Sequence, residues 1–189
     1  DGVLYEMVKT MGEDLCPALG IAVPVGKDSL SMRTAWEEHG ESRSVTAPVS
    51  LIVSAFAPVT DVRQTLTPEL RTDAGKTSLL LIDLSAGKLR LGGSSFAQVY
   101  ATFGGQPPDL DDPQRLVQFF KAQRTLRGEG LLLAYHDRSD GGLLTTLTEM
   151  ALTARVGLNI QIPSEVNDVL AYLFNEEPGV VVQVRSVDL

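Results

Sequence analysis

What the chain has little of narrows its function first. Its 189 residues include one cysteine, Cys16, and two histidines, His39 and His136. A single cysteine excludes an internal disulfide and fits a reducing, cytoplasmic setting. A nucleophilic thiol needs a nearby base, and Cys16, at the end of an apolar helical stripe and just before Pro17, reads as a buried thiol instead. No apolar run approaches the roughly 20 residues of a membrane-spanning helix, and no basic-then-apolar leader opens the chain. Basic charge is in deficit: 16 Lys and Arg against 24 Asp and Glu give a formal charge of −8. Without a Lys/Arg cluster to release counterions, a nucleic-acid backbone is excluded as a partner, and any nucleotide bound here is a small ligand. Internal repeats and low-complexity tracts are absent too.

What is there is an ordinary globular composition, 43% hydrophobic and 21% charged, long enough for one domain or one domain plus part of another. The central stretch is Leu131-Leu132-Leu133-Ala134-Tyr135-His136-Asp137-Arg138-Ser139-Asp140-Gly141-Gly142. An apolar run breaks into polar residues and two glycines, which predicts a buried strand, a polar turn and a helix start. The helix follows from Leu143, Leu144, Leu147, Met150 and Ala151, whose spacing puts them on one face. Free N–H groups and the positive dipole end at such a turn favour an anion. Gly141 and Gly142 would let a phosphate approach the backbone, Ser139 can donate to a phosphate oxygen, and Asp137 offers the hard oxygen that Mg2+ takes beside phosphates. A second reading of the same residues is an Asp or Ser capping the helix and two glycines making a tight turn.

Before that stretch, Leu4, Val8, Met11 and Leu15 predict a helix, Ile21 to Val25 a short strand, Trp36 to Ser44 a hairpin tip or exposed loop, and Val45 to Pro58 a long strand. Gly26-Lys27-Asp28-Ser29 is not a phosphate-binding P-loop, because Ile21 and Asp28 stand where that motif needs Gly and Ser/Thr. A Gly-Lys-Asp-Ser turn after a strand could still hold an anion or a metal, so Lys27 is a candidate beside a solvated-turn reading. A domain boundary is expected near Val59, giving domains 1–58 and 59–189. Beyond it the pattern predicts a strand at Leu79–Leu84, a short helix at Phe96–Tyr100, a one-sided helix after Pro113 carrying Leu116, Phe119, Phe120 and Leu126, a strand at Leu158–Ile162, a helix from Pro163 to about Phe174 and a strand at Val180–Val184. The chain opens inside a helical stripe and stops just past an apolar strand, as an internal piece of a longer polypeptide would.

Three segments in this order resemble successive motifs of the phosphoribosylformylglycinamidine synthase family, in its large single-chain bacterial form: Pro24-Val25-Gly26-Lys27-Asp28-Ser29-Leu30-Ser31-Met32, His136-Asp137-Arg138-Ser139-Asp140-Gly141-Gly142-Leu143 and Phe174-Asn175-Glu176-Glu177-Pro178-Gly179. The resemblance implies an α+β chain: the end of an amino-type synthetase domain, then a carboxyl-type domain of the aminoimidazole ribonucleotide synthetase-like superfamily, layered α/β/α around a mixed sheet and lacking its last elements. It implies a parent ligase of purine biosynthesis, a glutamine amidotransferase that converts formylglycinamide ribonucleotide, ATP and glutamine into the amidine, ADP, phosphate and glutamate. Asp137 would then be a Mg2+ ligand and Ser139 an ATP/ADP contact in an auxiliary nucleotide site. The partners would be the remaining domains of the parent, the glutaminase domain among them. No catalytic residue is expected within this chain, and the chain alone is expected to be inactive. From another class, a purely structural interaction module with no ligand remains open.

Overall fold

The computed structural model describes residues 2–27 and 32–189. Two compact units divide the chain, Asp1–Val59 and Thr60–Leu189.

In the first unit, α1 (Gly2–Lys9) runs through a π-helical stretch, Thr10–Leu15, into α2 (Cys16–Leu19). The wider π turn changes which side chains face inward. Leu4, Met7, Met11 and Leu15 are half-buried, Cys16 is buried, and Val8, expected in the stripe, is exposed. Residues 21–27 form no strand, contrary to expectation, and Asp28 to Ser31 of the expected anion-holding turn lie outside the described residues. β1 (Arg33–Glu38) and β2 (Glu41–Thr46) make an antiparallel hairpin turning at His39-Gly40, so a hairpin does stand where a tip was expected. The long strand to Pro58 is not present: regular structure ends at Thr46. Among the described residues no strand pairs with 47–58, and apolar character alone does not make a strand without a ladder.

The second unit is built on β5 (Gly179–Arg185), the centre of a three-stranded sheet in the order β3-β5-β4, with β3 spanning Thr77–Asp83 and β4 spanning Leu132–Asp137. Both ladders are antiparallel, so the described sheet is antiparallel where a mixed one was expected. β5 is buried on both faces, which its unbroken Val180-Val181-Val182 run required. One face packs Ala134 and Val181, with Leu70 from the segment before β3, against Leu143, Leu147 and Met150 of α5 (Gly142–Ala154). The other carries Leu132, Val180, Val182 and Val184 against Phe119 of α4 (Pro113–Gly128). Helix, sheet and helix therefore form three layers, and each fully buried Val, Leu or Met contributes about 1.5–3 kcal/mol.

The helices begin where local chemistry starts them. Asp112 accepts from the Gln114 N–H at 2.9 Å, with Pro113 in the first turn of α4. Ser94 caps α3 (Ser95–Val99), and Asp168 caps α6 (Val169–Phe174). The helix expected from Pro163 is thus only its last part. The expected strand at Leu158–Ile162 is irregular, because neither ladder of the sheet reaches it. The segment before β3 is held by Gln183, whose side chain accepts from the Arg71 N–H at 2.7 Å and donates to the Arg71 carbonyl at 3.0 Å.

Candidate functional site

The turn from β4 into α5 sits beside the end of β3 and the start of β5. Its tether is Arg138. The Arg138 N–H donates to the Gly179 carbonyl at 2.8 Å, continuing the β4–β5 ladder by one bond. Its buried guanidinium crosses β5 and donates to the Glu177 carbonyl at 2.7 Å and to Asp83 Oδ1 at 2.6 Å. Gly179 is what permits that crossing: a Cβ there would lie 2.9 Å from the Ile82 carbonyl oxygen and 3.1 Å from the guanidinium. Asp83 also accepts from the Ser85 hydroxyl and the Gly87 N–H. Burial pushes its carboxyl up, but the Gly87 N–H and the Arg138 and Ser85 donors outweigh that and hold it below the usual carboxylate range.

Glu177 anchors a second strand end. Its side chain is fully buried, and it takes Arg90 Nε at 2.6 Å, Arg90 Nη2 at 2.7 Å and the Arg90 N–H at 3.0 Å. Burial alone would raise its pKa; the three Arg90 contacts reverse that and lower it. Arg90 also reaches Asp111 at 3.0 Å, which in turn holds Lys88 at 2.7 Å. A charge so deeply buried is stable only when its partner and lone pairs are satisfied, and here they are.

Between these anchors lies Glu176. Its Oε1 accepts two backbone N–H groups, Gly141 at 2.8 Å before α5 and Ser95 at 2.8 Å at the start of α3. One carboxylate thus takes the anion position at the head of α5 and ties it to α3. The stacked rings of Phe96 and Phe174, 4.9 Å apart, join α3 to α6.

The residues expected at the site fall into distinct places. Asp137 and Ser139 flank the buried Arg138 and are both exposed. Neither side chain caps the helix: the residue before α5 is Gly141, φ 82°, and no side-chain cap is made. Gly141 has its N–H committed to Glu176. Gly142 is buried, and a Cβ on it would lie 2.6 Å from the Asn175 carbonyl oxygen, so its smallness serves the packing of α5 on the end of α6. Lys27 is exposed in the first unit, so only the other four share one turn.

Asp137 is the last residue of β4, opposite Val180. Its Oδ1 accepts the Tyr135 hydroxyl at 2.7 Å, and burial followed by the neighbouring carboxylate pushes that phenol up. On the opposite face of β4, His136 Nε2 lies 2.7 Å from Glu149 of α5. Among the described residues no group of three or more His, Cys, Asp or Glu is placed to hold a metal. A cation at Asp137 would therefore draw one ligand from this turn and the rest from water and phosphate, which is how Mg2+ is commonly held. The exposed carboxylate oxygen fits that donor role.

Sequence reasoning missed Arg138, Asp83, Arg90, Glu176, Glu177 and Tyr135 as working parts. One signal was available. Glu176-Glu177-Pro178-Gly179 runs directly into the apolar Val180-Val181-Val182, which places carboxylates at the margin of the core, where they need cations and N–H donors.

Residues 78–188 match the family model described as AIR synthase related protein, C-terminal domain, and residues 1–58 match the model described as FGAR-AT PurM_N-like domain.

Proposed function

Because the chain belongs to the AIR synthase related family, whose model covers residues 78–188, we propose that it is an internal part of a phosphoribosylformylglycinamidine synthase of the large single-chain type, and that its own task is to help hold a Mg-nucleotide. Domains of this kind belong to ATP-using enzymes of purine biosynthesis. The proposed parent is cytoplasmic and joins glutamine-derived nitrogen to formylglycinamide ribonucleotide, with the amino-type part over 1–58, the carboxyl-type part over 59–189 and a glutaminase domain elsewhere in the polypeptide.

The observation that carries the ligand reading is the pairing of exposure with anchorage at the turn. Arg138 is buried and bonded to β3, to β5 and to the Glu177 carbonyl just before β5, while the Asp137 and Ser139 side chains on either side of it are exposed and make no cap to the helix. Their backbone carbonyls serve the head of α5, Ser139 accepting the Gly142 N–H and Asp137 the Thr146 hydroxyl, while the Gly141 N–H goes to the Glu176 carboxylate, so neither turn side chain is spent on the helix. In this reading Asp137 gives one carboxylate oxygen to Mg2+ and Ser139 donates to a phosphate oxygen, while Gly141 and Gly142 shape the turn. The bound cation would supply neutralisation of the phosphate charge. Lys27 belongs to the first unit and is proposed only as a second anion contact. No helix among the described residues is long and apolar enough to cross a membrane.

The test is a titration of this chain with Mg-ADP by calorimetry, repeated with Asp137→Asn. One carboxylate and a few hydrogen bonds of about 1.5–3 kcal/mol each, set against an association cost of at least roughly 4 kcal/mol, place the dissociation constant near the millimolar range, around −4 kcal/mol. Asp137→Asn should remove the Mg2+ dependence. Equal binding by both proteins would return Asp137 to a purely structural role.

A further inference from the structure

We propose that Tyr135 is the positioning residue for Asp137, fixing one carboxylate oxygen so that the other is presented to a divalent cation bound with a nucleoside diphosphate. The inference rests on the ligand reading above and adds to it the residue that prepares the site.

The argument begins with strand geometry. Tyr135 and Asp137 are two positions apart on β4, so their side chains leave the sheet on the same face. Their partners on β5 are Val182 and Val180, and both valines are core. The Tyr135 ring packs into the cluster that contains Phe119, Leu132, Val180 and Val182, so it is held on the side of α4. A ring anchored in this way delivers its hydroxyl to a fixed point, and that point is Asp137 Oδ1, 2.7 Å away. Asp137 Oδ2 takes no hydrogen bond among the described residues. Asp137 itself is exposed, and backbone pairing stops with the next residue, so without the phenol its carboxylate would be free to rotate.

Ligands to metals are commonly oriented by such a hydrogen-bonded neighbour, whose removal typically costs 10–100-fold in affinity. Tyr135 has the features of one: it is half-buried, shares the ligand's strand face and is bonded to one oxygen of the pair. Among the described residues nothing else bonds the Asp137 carboxylate: the Arg138 guanidinium is engaged by Asp83 and the Glu177 carbonyl, and His136 is on the opposite face with Glu149.

The experiment uses the 189-residue chain with Mn2+ and ADP as the probe, following paramagnetic broadening of the Ser139 and Asp140 amide signals. In the unmodified chain, broadening should half-saturate in the millimolar range. Tyr135→Phe should raise that midpoint about tenfold and leave the ligand-free melting temperature nearly unchanged, since the ring and its packing are kept. Asp137→Asn should abolish the broadening, and Tyr135→Phe added to it should change nothing more. If Asp137→Asn abolishes broadening while Tyr135→Phe leaves the midpoint in place, Tyr135 only locks the strand end and this inference falls alone. If the unmodified chain shows no broadening, or Asp137→Asn is without effect, the ligand reading and this inference fall together.

Discussion

The two units of this chain carry similar apolar sequence and do opposite things with it. In the second unit, β5 is covered by helices on both faces, and its margin is closed by Asp83–Arg138 and Arg90–Glu177. In the first, a helix and a two-stranded hairpin leave Cys16 as the one buried side chain among the described residues, with Ile52 90% and Phe56 95% exposed. The difference lies in layers. A sheet of three strands gives apolar residues two faces to share, whereas every residue of the two hairpin strands is exposed. An apolar surface of this kind marks a place where another protein surface belongs.

The largest effect that would break the contrast is at the buried ion pair. Glu177→Gln leaves Arg90 without its main counter-charge, and the second unit should lose about 3–5 kcal/mol. Chemical unfolding followed by far-ultraviolet circular dichroism would measure it, while the fluorescence of Trp36, the single tryptophan, reports on the first unit and should not move. A loss under about 1 kcal/mol would mean that the pair is not a support of the fold.

Next comes the core itself. Met150 is fully buried against the sheet, so Met150→Ala should cost about 2–5 kcal/mol. Ile52→Ala in the first unit should stay within about 0.5 kcal/mol. Matching losses at the two positions would show that the first unit has a core after all.

Acid should separate the units as well. The Asp83 and Glu177 carboxyls are held below their ordinary values in the folded protein. The unfolded chain therefore binds protons first, and the stability these groups contribute is complete above about pH 5 and lost as pH falls through their lowered values. Melting temperature against pH should drop on the acid side of pH 4 and be flat between pH 5 and 7. Replacing Asp83 with Asn should flatten part of the acid limb.

The smallest effect concerns the exposed apolar surface of the first unit. The chain should associate weakly with itself at high concentration, and replacing Ile52 and Phe56 with Lys should reduce this in sedimentation experiments. A strict monomer throughout would leave the exposed face without consequence for the isolated chain.

Much of the second unit could be read from the residues. The valine-rich β5, the one-sided α5 and α4 with its Asp112-Pro113 start are local signals, and they appear where expected. The strands expected at Ile21–Val25, Val45–Pro58 and Leu158–Ile162 failed for one reason: strand propensity is realised only where a ladder partner exists, and alternation within a segment carries no information about its partner. The site was legible in the same uneven way. The Asp137 to Gly142 turn announced itself by composition, but the use of its parts did not. Gly141 and Gly142 looked like a phosphate cradle, and in the fold a carboxylate from 35 residues further on takes the Gly141 N–H.

By itself the sequence determined the elements whose signals are local: the buried central strand, the two helices that cover it, the polar turn between β4 and α5, and the family motifs. Only the tertiary structure decided which carboxylates face inward to arginines, which one sits at two helix starts, and which one, Asp137, is left at the surface with one oxygen held by Tyr135. The physical reason is that periodicity fixes the face a side chain takes on its own element, whereas the partner of a charge is fixed by which strand ends meet, here β3, β4 and β5, drawn together across more than a hundred residues by the burial of both faces of one sheet.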